Sequence, residues 1–305
     1  MATPAVIGIG HVTCDIICPL EDWPAPDTKT VIPEITLAGG GPTANAMAAL
    51  ARLGVTAGLV GRLGDDLLGR YAHREHDVAG IDVSHLELSR DAVSPVSIIL
   101  SDLGAGTRTI LLTKGRNTTL APEQLDWDWL QQARIVHLDG HQMDASLAVA
   151  ARARDWPGTT LMLDAGSMRD GMVELGGLCD IVIASQRFAR ELTDSEEPRD
   201  CVNQLLNMGA RIAGVTLGSE GSLCSDHTET VKQGAFAVET CDTTGAGDAY
   251  HGGFIYGRLQ GWPLAQCMQY ASAVAALKCT GIGARECLPS RRQVQEFILR
   301  RAESG

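Results

Sequence analysis

Apolar residues along this chain fall into two rhythms. Short unbroken runs at 5–12 (Ala-Val-Ile-Gly-Ile-Gly-His-Val), 55–60, 135–138, 160–164, 181–184 and 212–217 fit strands buried on both faces. Between and after them, apolar positions recur every three to four residues at 43–53, 66–79, 144–154, 186–192, 199–208, 249–259, 263–278 and 290–302, predicting helices. Strands alternating with helices at this spacing predict an α/β domain with a mostly parallel sheet covered on both faces. One such domain accounts for residues 1–305. Two segments break the rhythm. Residues 28–37 and 96–113 read as antiparallel strands, the second folded about a turn at 102–106. They predict a small separate sheet, inserted over about residues 13–37 and 96–117. A further β-like run occupies 235–241.

Composition narrows the picture. Hydrophobic residues make up 45% and aromatic residues only 4%, so the core is aliphatic, as in a layered α/β protein. A net charge of −12 argues against nucleic acid or an anionic membrane as partner. The nine cysteines are odd in number and contain no Cys-x-x-Cys. They read as small buried hydrophobes of a reducing compartment. No signal-peptide pattern opens the chain and no apolar run nears the ~20 residues of a membrane span, so the expected location is the cytoplasm.

The run Asp242-Thr-Thr-Gly-Ala-Gly-Asp-Ala-Tyr-His-Gly-Gly-Phe254 carries the chemistry. Backbone N–H groups around Gly245, Ala246 and Gly247 at a helix start form an anion site. Asp248 places a carboxylate beside it. Anion cradle and proton acceptor together suit phosphoryl transfer to a hydroxyl. Read alone, the same residues are a glycine turn with Asp248 as a helix cap. No Gly-x-x-x-x-Gly-Lys-Ser/Thr is present, which excludes a P-loop, and Gly8-Ile-Gly10 stops short of a dinucleotide fingerprint. Gly-x-Ser-x-Gly and His-Glu-x-x-His are also absent.

The run resembles the C-terminal signature of the ribokinase/PfkB family of carbohydrate kinases. A second family signature matches Gly39-Gly-Gly-Pro-Thr-Ala-Asn-Ala-Met-Ala-Ala-Leu-Ala-Arg-Leu-Gly54. The resemblance is nearest to ketohexokinase- and sulfofructose kinase-like members, with Ser185 and the Lys278-Cys279 pair in common. It implies a ribokinase-like fold and ATP-dependent phosphorylation of a hydroxymethyl group on a small sugar or sugar derivative. Asp248 would be the base and residues 245–247 the anion hole. The small sheet would be a lid over the sugar and a homodimer interface. The resemblance assigns Thr216, Gly218 and Gly221 to ATP and Ser272 to the adenine-side wall. It assigns Asp15, Gly40, Gly41 and Asn45 to the sugar. Asp242, Thr244 and the 279–287 loop resemble a monovalent-cation site, for K+. Many members carry Asn-x-x-Glu to organise Mg2+; this chain has Ser185-Gln-Arg-Phe188, so Mg2+ is expected to arrive on ATP without a protein ligand there.

Lys29, Lys114 and Arg116 on or beside the lid read in two ways. They are charged guards of a sheet edge, or they meet an anionic group on a sugar acid, sugar phosphate or sulfosugar. His141 and Gln142 follow a strand end and are candidates for the substrate side. Two other functions stay open: a nucleoside kinase, and a catalytically idle sensor of sugar or nucleotide.

Overall fold

The computed structural model describes residues 4–104 and 107–303. In chain order the elements are β1 (Val6–Ile9), β2 (Thr13–Leu20), β3 (Thr36–Gly40), α1 (Pro42–Arg52), β4 (Ala57–Gly64), α2 (Leu67–Val78), β5 (Ile81–Asp82), β6 (Leu86–Ser89), β7 (Val96–Asp102) and β8 (Thr107–Thr113). They continue with α3 (Trp127–Leu130), β9 (Ile135–Leu138), α4 (Met143–Arg152), β10 (Thr160–Ala165), α5 (Met172–Gly176), β11 (Ile181–Ser185), α6 (Gln186–Thr193), α7 (Pro198–Met208), β12 (Ile212–Thr216), β13 (Ser222–Ser225) and β14 (Thr230–Gln233). Three helices close the chain: α8 (Ala246–Leu259), α9 (Leu264–Lys278) and α10 (Arg291–Glu303).

The large sheet runs β14-β13-β12-β11-β10-β9-β1-β4-β5, with β6 also paired to β4. From β12 to β5 the pairings are parallel; β13 and β14 add an antiparallel edge. The predicted layering holds. Alternate residues of the central strands enter two separate cores: Val6, Leu59 and Ile135 pack toward α1, α8 and α9, whereas Ile7, Val60 and Val136 pack with residues of α4, α6 and α7. Both faces are therefore apolar, which is why these strands read as unbroken runs. Seven of the nine cysteines are buried; Cys241 is exposed and Cys287 half-buried. Among the described residues, no helix is long and apolar enough to cross a membrane.

The second sheet has the order β3-β2-β7-β8. The hairpin of β7 and β8 is present, and its turn falls partly outside the described residues. Three expectations need correction. Residues 28–35 form no strand; the ladder begins at Thr36, after Pro33, whose missing N–H cannot serve it. The sheet is not wholly antiparallel, because β2 pairs parallel to β7. Residues 235–241 form no strand either. The chain leaves the ladder at Gln233, and Phe236 packs edge-on against Phe297 of α10.

Candidate active site

The helix α8 starts three residues earlier than its apolar pattern predicts, so Ala246, Gly247 and Asp248 form its first turn. Gly245 is the N-cap, with φ 72°, and a Cβ there would lie 2.7 Å from Ala284 Cβ. Handedness and space both demand glycine at this position. The Ala246 N–H turns back to the Thr243 carbonyl at 3.2 Å. The remaining first-turn N–H groups find no acceptor within the helix. A Cβ on Gly247 would meet nothing within 4 Å, so its backbone faces open space.

That space is a cleft of about 470 Å³. Thr216, Gly218, Gly221 and Ser272 line it together with Ala246 and Gly247. Residues far apart in sequence thus meet around one hollow, at the carboxyl end of β12, where ligands of open α/β sheets bind. Ala237, Val238, Ala275 and Ala276 supply apolar wall.

Asp248 stands beside the cradle, with Oδ2 accepting from Asn45 Nδ2 at 2.8 Å. Asn45 Oδ1 in turn accepts from Arg285 Nε at 2.8 Å, and Arg285 Nη1 lies 3.1 Å from His76 Nδ1. Burial holds His76 neutral, so it can accept that bond. Asn45 therefore orients Asp248, a role that its reading as a sugar ligand did not include. Desolvation, and then the charge of Asp164, push the Asp248 carboxyl up to about 7. An ordinary Asp would be a weak base at neutral pH; this one is matched to it. Beneath it His251 Nε2 lies 3.3 Å from Asp164 Oδ1, both buried. Asp164, His251 and His137 are the one group of metal-ligand type found among the described residues. The ion pair within it accounts for Asp164 and His251 without a metal.

Asp15 is buried on β2, with Oδ1 accepting from the Thr13 hydroxyl at 2.6 Å. Its carboxyl is raised by burial and lowered by hydrogen bonds from Thr13 and Ser97. A Cβ on Gly40 would fall 2.1 Å from Asp15 Oδ2, so that glycine clears room for the carboxylate. Gly41 is the N-cap of α1, beside the His11 carbonyl. Lys29 and Arg116 are exposed, and the Arg116 backbone bridges to Val93.

Of a group at the carboxyl ends of β1, β9 and β10, sequence reasoning picked out His141 but missed His11, Asp139 and Arg169. The rings of His11 and His141 stack 4.4 Å apart. Arg169 donates to His141 Nε2 at 2.7 Å, to Ser167 Oγ at 2.8 Å and to the Asp139 carbonyl at 3.1 Å. Asp139, buried, accepts the N–H groups of His11 and His141, each at 2.9 Å. Burial, then the neighbouring His141, bring His11 down to about 4, and burial lowers His141 as well. Both rings are neutral at pH 7; the positive charge here comes from Arg169 and from Lys114, which acts on both histidines. Gln142 is spent elsewhere, with its amide pinning the backbone at Thr118 and Leu120 at 2.8 Å. Arg108 of β8 was also missed: its Nη1 reaches across to Thr243 Oγ1 at 2.8 Å, joining lid to cradle.

Two segments bear on metal binding. Ser185 caps α6 by accepting from Phe188 N–H at 3.0 Å and donates to the Gly166 carbonyl at 2.8 Å, while Phe188 is buried in the core. This segment offers no carboxylate to a magnesium ion. Asp242 is saturated: Oδ1 accepts from the Thr244 N–H (2.8 Å) and hydroxyl (2.7 Å), and Oδ2 from Gly283 N–H (2.9 Å) and the Ser101 hydroxyl (3.2 Å). Its carbonyl accepts from Lys278 Nζ at 2.7 Å. Asp242 therefore does not fit a monovalent ion, because its oxygens are already taken by protein donors.

Comparison with known proteins agrees with this arrangement. The model of the pfkB family carbohydrate kinases matches residues 4–291. The chain belongs to the pfkB family of carbohydrate kinases. This family member is 32% identical over 299 residues to an ATP-dependent ribose-1-phosphate kinase of Halopiger xanaduensis, covering 97% of this chain and 98% of the relative. It is 30% identical to an aminoimidazole riboside kinase of Salmonella typhimurium, over 85% of this chain and 87% of the relative. A ribokinase of Arabidopsis thaliana, solved with ribose and ATP, superposes with a TM-score of 0.85 at 25% identity, covering 97% of this chain and 99% of that one. The pfkB-family chain is thus a phosphotransferase of the sugar or nucleoside type with a ribokinase-like fold.

Proposed function

We propose that this kinase transfers the γ-phosphoryl group of ATP to a hydroxymethyl group of a small sugar derivative that carries an anionic group. A sugar phosphate, sugar acid or sulfosugar fits better than a neutral ketohexose. The observation that carries the reading is Asp248: one carboxylate between an apolar nucleotide-sized cleft and a polar acceptor wall, held by Asn45 at 2.8 Å and raised to about 7. ATP would bring magnesium with it, the ion supplying neutralisation of phosphate charge, and the 185–188 segment would hold none of it. The acceptor lies against Asp15 and the Gly40-Gly41 backbone with its hydroxyl toward Asp248. Asp248 takes the hydroxyl proton as the oxygen attacks phosphorus. Charge on the moving phosphoryl faces the N–H groups of the N-cap Gly245 and of Gly247 and the positive end of the α8 dipole. Arg108, already at the cradle through Thr243, adds positive charge from the lid.

Two features support an anionic acceptor. Arg169 makes three hydrogen bonds, so a guanidinium with five donors keeps others for a ligand. Lys114 lies close enough to Arg169's neighbours His11 and His141 to act on both, and Lys29 and Arg116 are exposed. The name of the 32%-identical relative, ribose-1-phosphate kinase, points the same way. The aminoimidazole riboside kinase keeps a nucleoside acceptor as the second reading. An ADP-release assay over sugar phosphates, sugar acids, sulfosugars, ketohexoses and nucleosides tests the choice. Highest kcat/KM on an anionic sugar is expected; a nucleoside or neutral hexose in first place overturns it. We also infer a lid-to-lid homodimer, since Ile110, Leu111 and Leu112 of β8 are 46%, 55% and 46% exposed.

A further inference from the structure

A buried lysine sits directly under the anion cradle. Lys278 ends α9 with no exposed surface, and its Nζ donates to the Asp242 carbonyl at 2.7 Å. An ammonium is costly to remove from water, so a buried one needs compensation. No ion pair at 4.0 Å or closer provides it among the described residues; a backbone carbonyl does. The next residue, Cys279, has its carbonyl on the N–H groups of Cys241 (2.8 Å) and Asp242 (3.3 Å). The end of α9 is thereby stitched to the loop that enters α8. That loop is the one whose glycine cap at Gly245 aims the first-turn N–H groups at the cleft.

A compact cation that takes a carbonyl oxygen, buried beside a saturated carboxylate, is what a bound alkali ion would be in the same loop. A second cation placed there would meet the ammonium and be repelled. Asp242 has no oxygen left to offer it while Lys278 holds its carbonyl, as that bond and the four to its carboxylate show. We propose that the Lys278 ammonium is a built-in cation that braces the 242–245 loop, so that phosphoryl transfer by this chain needs no potassium. Lys278 is a positioning residue, acting through the loop, and the proposal rests on reading the 245–247 backbone as the phosphoryl cradle.

The experiment compares the full-length wild type and Lys278→Met in a tetramethylammonium buffer, then at equal ionic strength with K+ or NH4+. Initial rates with MgATP and the best acceptor, and thermal melting of the same samples, are both recorded. The wild type should change by no more than about twofold among the salts in rate, and its melting temperature should not move, because a site filled by the lysine has no ion to bind. Lys278→Met should lose about tenfold or more in tetramethylammonium, the scale of one charged hydrogen bond. K+ or NH4+ should then restore at least half of the lost activity, on the same logic, and raise the melting temperature of the variant alone.

Strong activation of the wild type by K+ overturns the proposal. So does a Lys278→Met protein that is fully active without K+, or one that is folded and inactive but rescued by no cation, which makes the lysine a packing element. If Lys278→Met does not fold, the wild-type titrations decide. A wild type that phosphorylates no acceptor in any salt contradicts the kinase reading instead; melting against K+ then still tests Lys278.

Discussion

The proposed nucleotide and acceptor sides of the site are built from different materials. Around the nucleotide side stand glycines, small apolar residues and backbone: Gly218, Gly221, Ala237, Ala275, Ala276 and Gly247. On the acceptor side, side chains lock one another in place: Asp15 with Thr13, Asn45 with Arg285, Asp139 with the backbone of His11 and His141, Arg169 with His141 and Ser167. A backbone-lined wall accepts any nucleotide of the right shape and says little about the second substrate. A wall of fixed charged groups discriminates, because a group left unpaired inside it costs affinity. Specificity in this enzyme is therefore to be sought at the ends of β1, β9 and β10 and on the lid.

The largest effect should come at the junction of the halves. Asp248→Asn keeps shape and the contact with Asn45 but cannot take a proton. It should lower kcat at least ~10²-fold, the low end for a positioned base, while ATP still binds by calorimetry. Near-native turnover would remove Asp248 as the base and leave two halves with nothing between them.

Next in size, changes on one side should leave the other untouched. Arg169→Ala should lower kcat/KM for the anionic acceptor about tenfold or more, with KM for ATP unchanged and a smaller loss on a neutral analogue. Lys29→Ala and Arg116→Ala test the lid in the same assay, and high salt should weaken the charged acceptor more than the neutral one. Equal small losses on charged and neutral sugars would make these groups supports of the fold or guards of the sheet edge. The smallest effect on chemistry should come from the lid surface. Leu111→Glu should convert a dimer into a monomer by sedimentation at micromolar concentration. A wild type already monomeric there contradicts lid pairing.

What could be read in advance divides along the same line. The cradle was legible because Gly245, Gly247 and Asp248 are adjacent and their spacing alone dictates a helix start with free N–H groups. The parallel core was legible because strands buried on both faces leave unbroken apolar runs. The groups that tune Asp248 were not. Asn45 is 203 residues from it, Arg285 is 240 from Asn45, and the partner of His251 on α8 is Asp164 on β10. Arg108 and Thr243 meet across 135 residues of sequence. No local pattern encodes such pairs. The misread run at 235–241 shows the converse. Its composition is β-like, yet a strand needs a partner edge and the chain has moved off the ladder at Gln233, leaving Ala237 and Val238 to line the cleft.

The central claim is that one buried carboxylate, raised by its surroundings, serves both halves as the base. The dependence of kcat/KM on pH for the wild type tests it most directly, since that ratio reports groups of the free enzyme. Asp248 must be ionised to take a proton, and its carboxyl lies at about 7. Activity should therefore rise tenfold per pH unit below a midpoint near 7 and level off above it, with no such limb in the residual activity of Asp248→Asn. A wild-type profile flat from about pH 5 to 8, or a limb unchanged in Asp248→Asn, would contradict the account.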